Sequence, residues 1–397
     1  MAPAFSSSDH VDQEAQRELI GYFSSFETRN TNSPQLQTAT MELATRLKSI
    51  PNLKSEVFEY HLPASPRVPM SKTVGQVIAT LPGEDTTCLI VGGHLDSLNL
   101  SVDVLSGPAP GANDDLSGVA VMVECARILS QLKWKHTIHF VAFTGEEQGL
   151  IGATALANRA LQENWSILAV LNNDTVGSVR NRFGEENSRE VRLFSELNDT
   201  SQSRELARFI DWLTRVPSLA HHHLFDPGLI PDSGTIDHSK SPEFGVKLVQ
   251  RLDRFGRGGD HMPFHKAGFS AVRFIEVCED VTVQHTPDDQ VNLIDFDYLA
   301  NVTRLNLLAL SALANSEPAP SQVGLLRDQS RNTTLRWTGS SSAPSIIFWR
   351  DSRSSSWEGW QLAHGSEVTI AGINKDDHIF GVASLGGIPL EVKQFVS

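Results

Sequence analysis

The sequence predicts an α/β fold, with a doubly wound, mostly parallel sheet that carries helices on both faces and a small all-β sandwich at the C-terminus. Strand and helix patterns alternate from residue 75 onward, which is the rhythm of βαβ crossovers. Polar clusters directly follow the apolar runs, as expected for a crevice at the carboxyl ends of strands. After residue 315 short apolar runs alternate with Ser, Gly and Asn turns, which indicates a separate β-rich part.

Helical spacing of apolar residues predicts two amphipathic helices at the start, Gln13–Glu27 and Pro34–Ile50. The strands predicted after them are Gly75–Leu81, Thr87–Gly93, His136–Phe143 and Ile167–Asn173. The helices that alternate with or follow these strands are Leu116–Leu132, Leu150–Leu161, Arg204–Thr214 and Asp295–Asn315. Residues 218–242 are predicted to form a long functional loop. Its three histidines are interpreted as solvated residues or as part of the cleft rim, with a third metal site as the alternative: His221, His222 and His223.

The chain is expected to divide into a catalytic domain over residues 1–315, a linker over 316–321 and a sandwich over 322–397. Short strand patterns in the last part lie at Thr334–Thr338, Ser345–Arg350, Glu367–Ala371 and His378–Ala383. This part resembles a fibronectin type III module. Its tryptophans are interpreted as core residues, with a carbohydrate-binding platform as the alternative: Trp337, Trp349, Trp357 and Trp360.

Composition and charge exclude two classes of partner. Hydrophobic residues make up 40% of the chain and charged residues 20%. No apolar run approaches the roughly 20 residues of a membrane-spanning helix. The formal net charge of -14 would repel a phosphate backbone, and no cluster of Lys and Arg offsets it. We therefore expect neither a membrane nor a nucleic acid as partner, whereas no pattern indicates the oligomeric state.

The location of the protein is indicated only indirectly. Residues 1–10 have neither a basic start nor an apolar stretch, so no signal peptide is recognised. An appended sandwich is nevertheless typical of enzymes that work outside the cytoplasm. We expect a secreted or periplasmic protein, with a cytoplasmic location as the alternative.

The number and spacing of the cysteines indicate which side chains could bind a metal. Cys88, Cys125 and Cys278 lie in apolar runs and are interpreted as buried core residues. Their odd number and the absence of CxxC or CxxH spacing argue against a thiolate zinc site. Any metal would therefore be held by histidine and carboxylate side chains.

Two polar clusters lie early in the α/β region. His94 ends a buried strand pattern, and Asp96 could accept the second N–H of its imidazole, which is how a metal-bound histidine has its tautomer fixed. The segment Pro110–Gly118 opens into a helix and contains Asp114 and Asp115. Either carboxylate is a candidate to bridge two cations, and capping of the helix is the alternative.

Three later clusters complete the set. Glu146 and Glu147 would repel each other at a poorly solvated strand end unless a cation or proton compensated them. One can bind metal while its neighbour takes a proton from water, and a solvated turn is the alternative. Asp174 and His285 also follow apolar runs. Histidines and carboxylates without thiolates suit a pair of zinc or similar divalent ions, roughly 3.5 to 4 Å apart.

In this order the motifs resemble the M28 metallopeptidases, which include the bacterial leucyl and Streptomyces-type aminopeptidases. The motifs are HxD at 94–96, GxNDxxSG at 111–118, GEE at 145–147, the strand-end Asp174, and HTxxD at 285–289. The resemblance covers about residues 13–315. It implies a di-zinc aminopeptidase that hydrolyses N-terminal residues from peptides with metal-activated water and a glutamate as general base.

The resemblance also implies a role for each site residue. The five metal ligands would be His94, Asp114, Glu147, Asp174 and His285. Asp114 would bridge two zinc ions, with His94 and Asp174 completing one site and the remaining pair completing the other. Glu146 would be the general base, and Asp96 would orient His94.

Three further residues are expected at the substrate pocket. Asp260 and His261 lie in a segment similar to the SDHxxF element of the family and would support the pocket. Gln284 stands where many members carry a tyrosine, so either His261 or Gln284 would supply the donor that stabilises the tetrahedral intermediate. The bond between Asp114 and Asp115 corresponds to one that is often cis in the family.

Other functions remain open at this point. Glutaminyl cyclases share the scaffold but typically use one zinc and cyclise their substrate. A carboxypeptidase that acts on acidic C-termini is a second alternative on the same fold. A metal-free binding protein is the third, and the complete ligand set argues against it.

Overall fold

The computed structural model describes residues 11–101, 105, 107–196, 198–328, 331–338 and 343–396. Residues 1–10, in which no signal peptide is recognised, lie outside these ranges. The helices are α1 (Gln13–Ser24), α2 (Pro34–Ser49), α3 (Leu116–Leu129), α4 (Ile151–Gln162), α5 (Gln202–Arg215), α6 (Pro217–Ala220), α7 (His261–Lys266) and α8 (Phe296–Ala314). The strands up to residue 276 are β1 (Lys54–Leu62), β2 (Lys72–Leu81), β3 (Thr87–His94), β4 (Thr137–Phe143), β5 (Ser166–Asn173), β6 (Glu190–Phe194), β7 (Ser233–Thr235), β8 (Gly245–Val249) and β9 (Ala271–Glu276).

The C-terminal strands follow the long helix α8. They are β10 (Ser321–Leu326), β11 (Thr333–Thr338), β12 (Ser345–Asp351), β13 (Gly359–Ala363), β14 (Glu367–Ile370), β15 (His378–Ser384), β16 (Leu390–Glu391) and β17 (Phe395–Val396).

The larger sheet has eight strands in the order β1-β2-β4-β3-β5-β9-β6-β8. Its central strands β4, β3, β5 and β9 are parallel to one another, and β6 is parallel to β8. The pairings of β1 with β2, β2 with β4 and β6 with β9 are antiparallel. The α/β class is confirmed, but the sheet is mixed, because strands such as β1 and β2 return directly without the crossover that parallel pairing needs.

Helices cover both faces of the central strands. Alternate side chains of a strand point to opposite faces. Leu89, Val91 and Leu171 belong to the apolar core beneath α1, α2, α3, α5 and α8. Ile90 and Val170 belong to the core beneath α4 and α7. Burial on both faces explains why these strands read as uninterrupted apolar runs.

The C-terminal strands form two sheets, in the orders β14-β11-β10-β17 and β16-β15-β12-β13-β7. Side chains of both sheets share one core, in which Leu335 and Trp337 of β11 meet Ile347 of β12 and Phe380 of β15. The tryptophans interpreted as core residues are all at most 8% exposed: Trp337, Trp349, Trp357 and Trp360. Their burial confirms the core interpretation.

The C-terminal sheets pack directly against the large sheet's helices, around Trp212 of α5. The Trp212 ring lies edge-on to Phe348 and Trp360, with centroids 5.1 and 5.8 Å away. Arg350 of β12 donates from Nη2 to Asp199 Oδ2 at 2.6 Å. Strand β7 pairs antiparallel with β13 and thereby becomes an edge of the C-terminal sheet. The two parts are therefore joined by a shared core and a shared sheet as well as by the linker.

Some local predictions were wrong. Residues 218–242 contain strand β7 and the end of helix α6, because the edge of the C-terminal sheet supplies β7 with a hydrogen-bonding partner that lies far away in the sequence.

Cys88 and Cys125 are buried as predicted, whereas Cys278 is only half-buried, and all three are free thiols. None of the described helices combines the length and the apolar character needed to cross a bilayer.

We predict that Trp212→Ala lowers the free energy of unfolding by about 3 to 5 kcal/mol, because it leaves a cavity in the shared core. Urea denaturation, followed by circular dichroism, measures this change. Phe183→Ala is the control, since Phe183 is 74% exposed. The control should shift stability by less than about 0.5 kcal/mol. Equal losses in both variants would contradict the role assigned to Trp212.

Candidate metal centre

Three adjacent parallel strands deliver polar side chains to one edge of the large sheet. β3 ends at His94, and Glu147 and Asp174 follow directly after β4 and β5. Because parallel strands present their carboxyl ends at the same edge, these side chains meet in one crevice. Asp114, just before α3, and His285, after β9, reach the same crevice.

The buried carboxylate of Asp115 ties together the backbone segments that carry these side chains. Its Oδ2 accepts the N–H of His94 at 2.9 Å, and its Oδ1 accepts the N–H groups of Gly118 and Thr175 at 2.9 and 3.0 Å. Asp115 therefore caps α3 and anchors two strand ends. Of the two adjacent aspartates, this leaves Asp114 as the candidate bridge. The peptide bond between them is cis, as the resemblance implied.

Two glycines allow the segments to approach closely enough for this anchoring. A Cβ on Gly118 would lie 2.2 Å from the carbonyl oxygen of Asn173. A Cβ on Gly93 would lie 2.7 Å from Asp115 Oδ2. No side chain fits at either position, so the start of α3 can lie directly against β3 and β5.

Asp114 faces two histidines with its two carboxylate oxygens. Oδ1 lies 3.1 Å from His94 Nε2, and Oδ2 lies 3.1 Å from His285 Nε2. Asp174 Oδ1 is 3.9 Å from His94 Nε2, and Glu147 Oε1 is 3.1 Å from His285 Nε2. All five residues predicted as ligands thus converge, in two groups that share Asp114.

The nitrogens that face these carboxylates need a cation or a proton. His94 Nδ1 lies 3.0 Å from the carbonyl oxygen of Asp96, which places its proton on Nδ1 and leaves a lone pair on Nε2. Glu147 Oε1 is buried and accepts no hydrogen bond from any described residue. Burial opposes protonation of His285, but Asp114 and Glu147 raise its pKa to about 11. A set of imidazole and carboxylate donors held this close together fits zinc.

The two adjacent glutamates have different surroundings. Glu147 is 5% exposed and faces His285, whereas Glu146 is half-buried and lines the open cleft. Burial raises the pKa of the Glu146 carboxyl well above its usual value; His94 opposes this shift, and the nearby Glu147 and Asp174 carboxylates add to it. Glu146 therefore has both the position and the proton affinity of a group that exchanges protons in the cleft.

Asp96 acts differently from the prediction. Its Oδ1 is 3.8 Å from His94 Nδ1, and the backbone carbonyl of Asp96 takes the place of the expected carboxylate partner. The carboxylate oxygens instead lie 3.3 and 3.2 Å from the N–H groups of Glu146 and Glu147, which donate to them. Because Asp96 is only two residues after His94, its backbone carbonyl lies closer to the imidazole than its carboxylate does. Asp96 thus orients His94 through its backbone and holds the glutamate turn through its side chain.

Of the three residues predicted at the substrate pocket, only Gln284 lines the cleft. Asp260 and His261 are fully buried behind its wall. His261 Nε2 donates to the carbonyl oxygen of Leu252 at 2.7 Å, and burial lowers the pKa of the ring to about 4. A neutral ring in this tautomer has no second N–H to donate. His261 is therefore excluded as a stabiliser of the tetrahedral intermediate.

Sequence reasoning missed two supporting residues. Asp289 accepts the N–H groups of Asn113 and Asp114 at 2.8 and 2.9 Å. Arg273 is buried on β9, with Nη2 2.9 Å from Asp174 Oδ2. The sequence contains a feature from which each of these two residues could have been predicted. Asp289 ends the HTxxD motif, and an arginine in an otherwise apolar strand requires a buried anionic partner.

A cleft of about 550 Å³ opens onto this centre. The histidines His221, His222 and His223 line a different cavity of about 240 Å³, together with Glu243. They are therefore not part of the cleft rim. In the part of the chain that the structure describes, they also belong to no group of three closely spaced metal-binding side chains.

The fold and the site together define an α/β metallohydrolase. The sequence profile of peptidase family M28 matches residues 76–208. A protein of Leptosphaeria maculans described as a probable zinc metalloprotease is 32% identical over 346 residues, which cover 83% of this chain and 79% of that protein. The chain therefore belongs to peptidase family M28.

Solved structures share the fold at low sequence identity. BSAP, a zinc aminopeptidase from Bacillus subtilis, is 15% identical with a TM-score of 0.56, over 78% of this chain and 96% of that chain. A glutaminyl cyclase from Bacteroides thetaiotaomicron is 17% identical with a TM-score of 0.56, over 75% of this chain and 97% of that chain. Proteins with different activities thus share this architecture, so the activity has to be argued from the site.

We predict that Asp289→Ala weakens zinc binding about 10- to 100-fold, because Asp289 fixes the backbone on which Asp114 is presented. Competition with a chromophoric chelator measures the affinity. Asp288→Ala is the matched control, since Asp288 is the adjacent acidic residue and is exposed. The control should bind zinc like the wild type. Unchanged affinity in Asp289→Ala would contradict this role.

Proposed function

We propose that the chain is a zinc-dependent exopeptidase that removes N-terminal residues from peptides and holds two zinc ions. One observation carries this proposal: the two oxygens of Asp114 face two different histidines at 3.1 Å. His94 with Asp174, and His285 with Glu147, would each complete one site around that bridge. The zinc metalloproteases among the relatives support the choice of metal.

Zinc at this centre would polarise the peptide carbonyl as a Lewis acid and lower the pKa of water. Glu146 lines the cleft and would accept the proton of the attacking water and return it to the leaving amine. Asp96 holds the backbone of Glu146 and Glu147, so the proton acceptor keeps a constant position relative to the ligands.

The N-terminal direction of cleavage follows from the charge of the centre. Its carboxylates, including Asp174 and Glu146, would attract the free α-ammonium group of a peptide and place the first peptide bond at the centre. A peptide is the partner in this proposal, without nucleic acid or membrane. A location outside the cytoplasm remains a prediction.

The roles of the two glutamates predict opposite effects of two matched variants. Glu146→Gln should retain zinc and lose about 10²- to 10⁴-fold in kcat, because only proton transfer is removed. Glu147→Gln should lose zinc together with activity, because a ligand is removed. Turnover of leucine p-nitroanilide and zinc content by plasma mass spectrometry measure both. Near-native activity of Glu146→Gln would refute the assignment of the general base.

Blocked peptides test the direction of cleavage. N-acetylation of a pentapeptide should abolish hydrolysis, whereas amidation of its C-terminus should leave the rate within about twofold, because the amine is the recognised end. A chelator should abolish turnover, and zinc should restore it. The reverse result with the blocked peptides would identify a carboxypeptidase. Ring closure of a Gln peptide with one zinc per chain would identify a glutaminyl cyclase.

A further inference from the structure

One wall of the cleft is basic. Besides the residues of the metal centre, the charged residues that line the cleft are four arginines: Arg67, Arg254, Arg257 and Arg273. In the described part of the chain, no acidic residue outside the centre lines the cleft. Two of these arginines, Arg254 and Arg257, lie on the loop between β8 and α7.

Two of these arginines are already neutralised by carboxylates of the protein. Arg273 contacts Asp174 and Asp253 at 2.9 and 2.8 Å. Arg254 forms an ion pair with Glu279 and also contacts Asp253. These contacts hold the wall together, so Arg254 and Arg273 have a structural role.

Arg257 has no carboxylate partner within hydrogen-bond distance among the described residues. Its Nη1 donates to the neutral oxygen Oε1 of Gln284 at 3.1 Å. The nearest carboxylate oxygen among the described residues is Glu279 Oε1, 3.8 Å away and already paired with Arg254 and, through the other oxygen, with Arg192. Glu279 is thus shared by three guanidinium groups, of which Arg254 also contacts Asp253. Arg257 therefore retains surplus positive charge.

Arg257 is also accessible from the cleft. Its side chain is 36% exposed. Gly256 and Gly258 flank it and line the same cleft without side chains that would cover it. Gln284 fixes one end of the guanidinium group, so its other N–H donors have a defined direction. A planar group with free parallel donors matches a carboxylate.

We propose that Arg257 binds a carboxylate of the peptide substrate beside the metal centre. This inference rests on the proposed function and specifies its substrate class. The carboxylate is either an acidic side chain or the α-carboxylate of a short peptide. Both present the same planar anion to the same guanidinium group.

Arg67 is the weaker candidate for this role. Its Nη1 donates to the backbone carbonyl of Glu147 at 2.6 Å, which supports a ligand-bearing turn. A variant of Arg67 would therefore disturb the metal centre as well. Arg257 contacts none of the five candidate ligands within hydrogen-bond distance in the described residues, so its substitution leaves the metal ligands in place.

Two substrate pairs distinguish the sources of the carboxylate. The first pair is Glu and Gln p-nitroanilide, which differ only in the side-chain carboxylate. The second pair is Leu-Gly and its amide, which differ only in the α-carboxylate. The wild type should prefer the carboxylate member of at least one pair by about tenfold or more in kcat/KM.

Arg257→Gln should remove that preference by raising KM for the carboxylate member about 10- to 100-fold, whereas any effect of the lost contact with Gln284 falls equally on both members of a pair. Arg257→Lys keeps the charge and should keep part of the preference. Arg251→Gln is the matched control, because Arg251 lies on the same loop, outside the cleft lining, with its guanidinium over the ring of Phe255. Absence of any preference in the wild type, or its persistence in Arg257→Gln, would overturn the proposal.

Binding gives a second readout that is independent of turnover. Titration calorimetry of the same pairs on zinc-loaded Glu146→Gln, with and without Arg257→Gln, measures dissociation constants of intact substrates. The double variant should bind the carboxylate member about tenfold more weakly. If no substrate is hydrolysed by the wild type, the proposed function fails. The calorimetry still decides the inference, since equal binding by both variants would overturn it.

Discussion

The candidate site depends on one buried carboxylate that never faces the cleft. Asp115 accepts three backbone N–H groups, from the end of β3, the first turn of α3 and the second residue after β5. Those segments carry three of the five candidate ligands, His94, Asp114 and Asp174. Because the donors are main-chain N–H groups, Asp115 fixes the backbone positions of these segments, whichever rotamers their side chains adopt. The geometry of the centre is therefore set by the fold before any metal binds.

That geometry concentrates negative charge. Burial raises the pKa of Asp96 to about 6 and that of Asp289 to about 7, and both lie next to the ligand-bearing segments. Carboxylates this close can stay ionised only if cations offset them. Arg273 offsets part of this charge at Asp174, and the histidines offset part of it at Asp114. Bound zinc would supply the remainder, which would link metal binding to the stability of these strand ends.

Those features of the fold and the site that depend on local sequence pattern could be predicted from the sequence. The central strands and the residues at their ends followed from apolar runs and the polar clusters behind them. The choice between Asp114 and Asp115 as the bridging residue could not be made from this pattern. Neighbouring aspartates have the same local sequence pattern, and only their distant partners differ. Asp289 and β7 were missed for the same reason, since Asp289 binds Asn113 and β7 pairs with β13 across long stretches of chain. The role of Arg257, which lies on a loop, could not be predicted from the sequence, because it depends on which neighbouring arginines are already paired with carboxylates.

Strand β7 also bears on how this architecture can evolve. It belongs by sequence to the part that carries the metal centre, yet it forms the edge of a C-terminal sheet. A recombination event that transferred residues 316–397 alone would leave β13 with an unpaired edge and Trp212 exposed to water. In this chain, substitutions on either side of the contact are therefore constrained by the other.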